Sequence, residues 1–174
     1  MAEANRDVLQ EHTADLVDKL HEKLTEESAF ARLALDYDLD VEARRWYAST
    51  LSEIALLVGD EPLEYVKASA SHHQSDSWLY VIVVLTKSMV ITSAGAVEAE
   101  STSSDHGAVV AIARSALASL EVSAVRADPF EGSTWPGTIN VLAKYSGHET
   151  GVVFTVKGAE SADALIETLR GDLG

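Results

Sequence analysis

The sequence predicts an α+β chain, with helices first and a strongly bent antiparallel sheet, or small barrel, after them. Three observations carry that class. Apolar residues recur at spacings of three and four through the first 58 residues. From Leu63 the period drops to two and holds through several short runs. One amphipathic stretch, Ser161 to Arg170, then closes the chain.

The first helix is expected from Asn5, a good N-cap, to about Leu24. Leu9, Thr13, Leu16, Leu20 and Leu24 form one narrow stripe. A short second helix is expected to carry Phe30, Leu33 and Ala34. Asp36, Asp38 and Asp40 interrupt it. Three alternating aspartates invite a calcium loop, but such a loop needs a glycine at its sixth position and a glutamate at its twelfth. Val41 and Tyr47 stand there instead, so Asp40 is read as the cap of the third helix. That helix runs from Val41 to Val58, with Tyr47, Leu51, Ile54 and Val58 on one face and Ala43, Ala55 and Leu56 widening it. Gly59 stops it, and Pro62 follows.

Leu63 to Ser69 reads as the first strand, ending in the polar turn His72-His73-Gln74-Ser75-Asp76. Trp78 to Thr86 is apolar on both faces. Leu79, Val81, Val83 and Leu85 point one way, and Trp78, Tyr80, Ile82 and Val84 point the other. One set can fill a barrel, and the other needs a cover, from the N-terminal helices or a second subunit. Met89 to Ser93 returns the chain. Glu98 to Gly107 is a polar, serine-rich loop. Strands follow at Ala108–Ile112 and Leu117–Val125, the latter with Leu120 and Val122 opposed to Glu121 and Ser123. Ala127 to Gly137 is a long connection. Ile139–Tyr145 and Gly151–Val156 form a hairpin about Ser146-Gly147-His148-Glu149. In the closing helix Ala162, Leu165 and Leu169 share a side.

The net charge is -15. Residues 1–58 hold 13 acids and 6 bases, and residues 59–174 hold 15 and 7, so the acidity is even along the chain. Such a surface repels phosphate backbones and anionic lipid, so neither direct nucleic-acid binding nor strong membrane binding is expected. There is no cysteine, which excludes disulfides and thiolate chemistry and suits a reducing cytoplasm. The N-terminus has neither the basic nor the apolar region of a secretory signal.

The strand order resembles the bacterial pleckstrin-homology-like domains, especially the YokE-like group. Gly59-Asp60-Glu61-Pro62 is similar to the turn that leads into their first strand. Leu85-Thr86-Lys87-Ser88-Met89-Val90-Ile91 looks like their leucine-threonine turn. Ile112 to Val122 is similar to their isoleucine-led loop into a strand. The resemblance covers residues 59–174 and implies two parts: a helical segment, 1–58, and a pleckstrin-homology-like domain, 59–174. Relatives of the wider superfamily bind phosphoinositides through basic loops. Here one such loop is His72-His73-Gln74-Ser75-Asp76 and the other keeps only Lys87, so no permanent cation cluster meets a phosphate.

No catalytic, cofactor or metal site is expected. His12 and His21 are nine apart, not three or four, and all six histidines are read as exposed. Glu98 and Glu100 share a strand face without a third group. No nucleophile elbow, phosphate loop or dinucleotide fingerprint occurs. Phe130 and Trp135, in the long connection, either plug one end of the barrel or anchor an interface. Trp78, Tyr80 and Leu16 are further candidate contacts, because their faces need a cover.

These observations favour a non-catalytic protein–protein interaction module that forms a homodimer. The alternative is an acidic inhibitor, or nucleic-acid mimic, that occupies a basic surface of a partner. An enzyme of unrecognised type is the third reading.

Overall fold

The structure is a computed structural model that describes residues 2–26, 28–35, 41–73, 77–98, 107–126 and 138–173. Asp36, Asp38, Asp40, the serine-rich loop at 99–106, and Phe130 and Trp135 lie outside the described residues, as do the side chains of Asn5 and Leu9. The fold is α+β. Helices α1 (Ala2–Leu24), α2 (Ser28–Leu35) and α3 (Val41–Val58) come first. Strands β1 (Leu63–His73), β2 (Ser77–Thr86), β3 (Met89–Glu98), β4 (Val110–Ala113), β5 (Leu117–Arg126), β6 (Thr138–Tyr145) and β7 (Val152–Lys157) follow, then α4 (Ala159–Arg170).

The strands form two antiparallel sheets, ordered β1-β2-β3-β4 and β5-β6-β7, rather than one continuous bent sheet. The break falls at a 3-10 turn, Arg114–Ala116, between β4 and β5. The chain divides into two compact units, Met1–Ala111 and Ile112–Gly174.

In the first unit the helices cover one face of the four-stranded sheet. Leu16, Leu20 and Leu24 of α1 are buried, as the leucine stripe predicts. They pack with Phe30 and Leu33 of α2, with Trp46, Tyr47, Leu51, Ile54 and Val58 of α3, and with Ala68, Tyr80, Ile82, Val84, Ile91 and Val97 of the sheet. Each large side chain buried this way stabilises the fold by about 1.5–3 kcal/mol. The apolar face of α3 is wider on one flank than expected and narrower on the other. Trp46 and Thr50 are buried, whereas Leu56 is 73% exposed. Trp46, Thr50 and Ile54 are successive i, i+4 neighbours, while Leu56 sits two residues on and so more than half a turn away.

Register decides the sheet's two faces. Val66, Ala68 and Ala70 of β1 oppose Val84, Ile82 and Tyr80 of β2, which oppose Ile91, Ser93 and Gly95 of β3. A register shift between Leu63 and Tyr65 lets both Leu63 and Val66 pack against the core, although their odd spacing would otherwise send them to opposite faces. β3 runs five residues past Ser93 and pairs with β2 as far as Glu98. The weak strand formers Ala94, Gly95 and Ala96 hide that extension in the sequence.

In the second unit Ile139, Val141, Ala143 and Tyr145 of β6 and Val152, Phe154 and Val156 of β7 are buried. α4 packs on β7, and its Ala162, Leu165 and Leu169 are buried as expected. Val122 is 55% exposed. A register shift between Val122 and Ala124 interrupts the alternation expected of β5.

Candidate functional site

β2 gives the first unit an apolar surface on both sides. Trp78, Tyr80, Ile82 and Val84 face the helices. Tyr80 is 1% exposed, and its ring lies on that of Trp46, centroids 4.5 Å apart and 31° from parallel. Leu16 is 7% exposed and belongs to the same core. The apolar surface of Tyr80 and Leu16 is thus occupied within the chain, by the N-terminal helices, which is the first of the two covers expected. Trp78 is half-buried at the rim of this core, edge-on to His72 with centroids 5.2 Å apart.

The opposite face is open at one end. Val83 and Leu85 are buried, yet Leu79 and Val81 on the same side are 42% and 43% exposed. The register places Ser71 and Ala96 beside Leu79, and Ser69 and Ala94 beside Val81. All four neighbours are small, so the two branched side chains stand above a flat surface. The sequence leaves open which face of β2 fills a barrel. The alternation is read correctly, but the face that bears Leu79 and Val81 is closed over only half the length of β2. Nothing in the composition of β2 separates its two halves.

Two segments singled out in the sequence meet in space. The carboxylate of Glu61 accepts from the backbone N–H of Ser88 at 2.9 Å and from the Ser88 hydroxyl at 2.5 Å. Hydrogen bonds from Ser88 and Thr86, and then the charge of Lys87, hold the Glu61 carboxyl below its ordinary range. The turn before β1 is thereby tied to the β2–β3 turn. Lys87, the cation that the resemblance would assign to a headgroup, acts on this carboxylate.

The histidines are not all exposed. His21 is half-buried, with Nδ1 3.0 Å from the hydroxyl of Tyr47. Burial pushes the Tyr47 hydroxyl well above its usual range. His72 and His148 are exposed. No group of three or more histidines and carboxylates among the described residues is placed to hold a metal ion.

Sequence reasoning misses Arg114. Its Nε donates to Asp172 Oδ2 at 2.7 Å, and its Nη2 donates to the Thr168 carbonyl at 3.4 Å. Arg114 is 7% exposed. Tyr145 belongs to the same environment, for its hydroxyl is buried without a hydrogen-bond partner. Burial first, then the charge of Asp172, pushes its pKa up to about 12, against the opposing effect of Arg114. A lone arginine after a strand carries no spacing signal, so its pairing with a residue 58 positions later is invisible in the sequence.

No family model matches the chain, and no curated protein matches it. Among solved structures, the chain is similar to the crystal structure of a DUF1696 family protein with a pleckstrin-homology domain from Shewanella loihica PV-4. The likeness spans 73% of this chain and 92% of that one, at 12% identity and a TM-score of 0.40. Such a distant likeness says nothing about what this chain binds. No helix among the described residues is long and apolar enough to cross a membrane.

Proposed function

We propose that the chain is a non-catalytic protein–protein interaction module built on a pleckstrin-homology-like barrel, 59–174, with 1–58 as its helical segment. One observation carries the reading: Leu79 and Val81 stand exposed above a floor of small residues. Paired apolar side chains on a rigid strand can anchor a partner at low entropic cost. The partner is a protein, and a second copy of the chain is the first candidate, since one flat patch can serve both sides of a two-fold contact. The setting is cytoplasmic, without cofactor, nucleic acid or stable membrane contact. Lipid headgroups are poorly served, because the turns His72–Asp76 and Thr86–Met89 hold one lysine, Lys87, between them.

The net charge of -15 favours a second reading, an acidic inhibitor seated on a basic surface. Affinity capture with the wild-type chain and with Val81→Asp, at low and high salt, separates the two. Capture lost in the variant but little changed by salt supports the apolar face. Capture indifferent to Val81 and lost at high salt supports the acidic reading. Sedimentation at micromolar concentration tests the homodimer, and a monomer insensitive to Val81→Asp removes it.

A further inference from the structure

Helix α4 is secured differently at its two ends. Its N-cap is Gly158, at φ 81° and ψ 154°, and no side chain caps it. That backbone conformation is open to glycine and strained for other residues. No atom lies within 4 Å of where a Cβ would sit. Gly158 is therefore set by the bend it makes, not by close packing around it.

The far end is clamped. Asp172 follows the last turn, where its N–H donates to the Leu169 carbonyl at 3.1 Å. Arg114, from the 3-10 turn, grips both the Asp172 carboxylate and the Thr168 carbonyl. It acts as a C-cap supplied by another part of the chain. It satisfies a last-turn carbonyl and puts positive charge at the negative end of the helix dipole. The two side chains are only 9% and 16% exposed. A partly buried pair of this kind adds little net stability over apolar packing, but it selects one geometry and is costly to break on one side. Between these ends α4 has 12 residues, and helices of this length are marginal without tertiary support.

We infer that α4 is a hinged flap that pivots at Gly158 and is latched shut by Arg114 on Asp172, so that it opens as a unit while β5, β6 and β7 stay paired. Opening bares the stripe of Ala162, Leu165 and Leu169. This device does not depend on the Leu79–Val81 face.

Native-state hydrogen exchange on the full chain tests it. In the wild type, the amides of Leu165 and Leu169 should exchange through a sub-global opening whose denaturant dependence is real but clearly smaller than that of global unfolding, whereas those of Val141 and Ala143 should follow global unfolding. Asp172→Asn keeps side-chain volume and removes the charge. It should speed exchange in α4 roughly tenfold or more and leave β6 unchanged. Arg114→Met should do the same. If that variant does not fold, Asp172→Asn decides alone. The inference is overturned if α4 and β6 share one denaturant dependence in the wild type. It is also overturned if Asp172→Asn speeds both by the same factor, or leaves α4 exchange unchanged.

Discussion

Glu61 grips Ser88 at two points, its backbone N–H and its hydroxyl, 27 residues along the chain. The contact joins the entrance of β1 to the β2–β3 turn, so one carboxylate fixes the ends of three strands. Hydrogen bonds from Ser88 and Thr86 depress its pKa below the ordinary 4.5. A carboxylate with a depressed folded value stabilises the fold above its unfolded pKa, and that contribution is lost as pH falls through the folded value. Acid titration of stability should therefore show a loss beginning near pH 4.5 and continuing below it. Glu61→Gln should flatten this part of the curve and lower the melting temperature at pH 7. An unchanged acid limb in the variant would show that Glu61 does not couple to folding.

The motifs on either side of this contact were legible in the sequence; the contact was not. Gly59-Asp60-Glu61-Pro62 and Leu85-Thr86-Lys87-Ser88 read as separate turn signals, because local chemistry fixes each turn but no periodicity says which turns meet. The elements themselves followed from period. The leucine stripe of α1, the change to alternation at Leu63 and the buried side of α4 all appear where spacing puts them. Faces were harder to assign. β2 is apolar on both sides, so only the docked helices show that Tyr80 is core and that Leu79 is open. Arg114 gave no signal, because its partners arrive only when the chain end folds back.

Trp46 is the largest fully buried side chain of the first unit. It stacks on Tyr80 and lies edge-on to Phe30, centroids 6.4 Å apart. Trp46→Ala should cost about 3–5 kcal/mol in denaturant unfolding, through lost burial and a residual cavity. Trp46→Phe should cost clearly less. It keeps an aromatic ring and removes an indole N–H that is buried without a partner, which offsets part of the lost volume. Equal costs for the two variants would mean that the indole N–H, which both remove, and not the retained ring volume, sets the loss.

Gly107 answers to crowding. A Cβ there would collide with the carbonyl oxygen of Ala94, and the Gly107 carbonyl accepts from the Ser93 hydroxyl at 3.2 Å. Backbone cannot retreat as a flexible side chain can. Gly107→Ala should therefore destabilise by about 1–3 kcal/mol, read as a lower urea midpoint with an unchanged slope. Ser93→Ala removes a hydrogen bond without adding bulk and should cost about 1 kcal/mol. If Gly107→Ala costs no more than Ser93→Ala, the approach of the two backbones is looser than the structure places it.

Tyr145 makes a prediction at the alkaline end. Its hydroxyl is buried without a partner, and burial with the nearby Asp172 charge raises its pKa from 10.0 to about 12. The unfolded chain ionises this group near the ordinary value, while the folded chain keeps it neutral. Its share of stability is thus full below pH 10 and lost as pH rises from 10 towards 12. Tyr145→Phe should remove that alkaline loss. At pH 7 the same variant should be near neutral or slightly stabilising, since it deletes a buried polar atom that makes no hydrogen bond. A marked loss of stability for Tyr145→Phe at pH 7 would reveal a hydrogen bond made by the hydroxyl in solution. The natural acceptor for it would be Asp172, which would then serve tyrosine and arginine together.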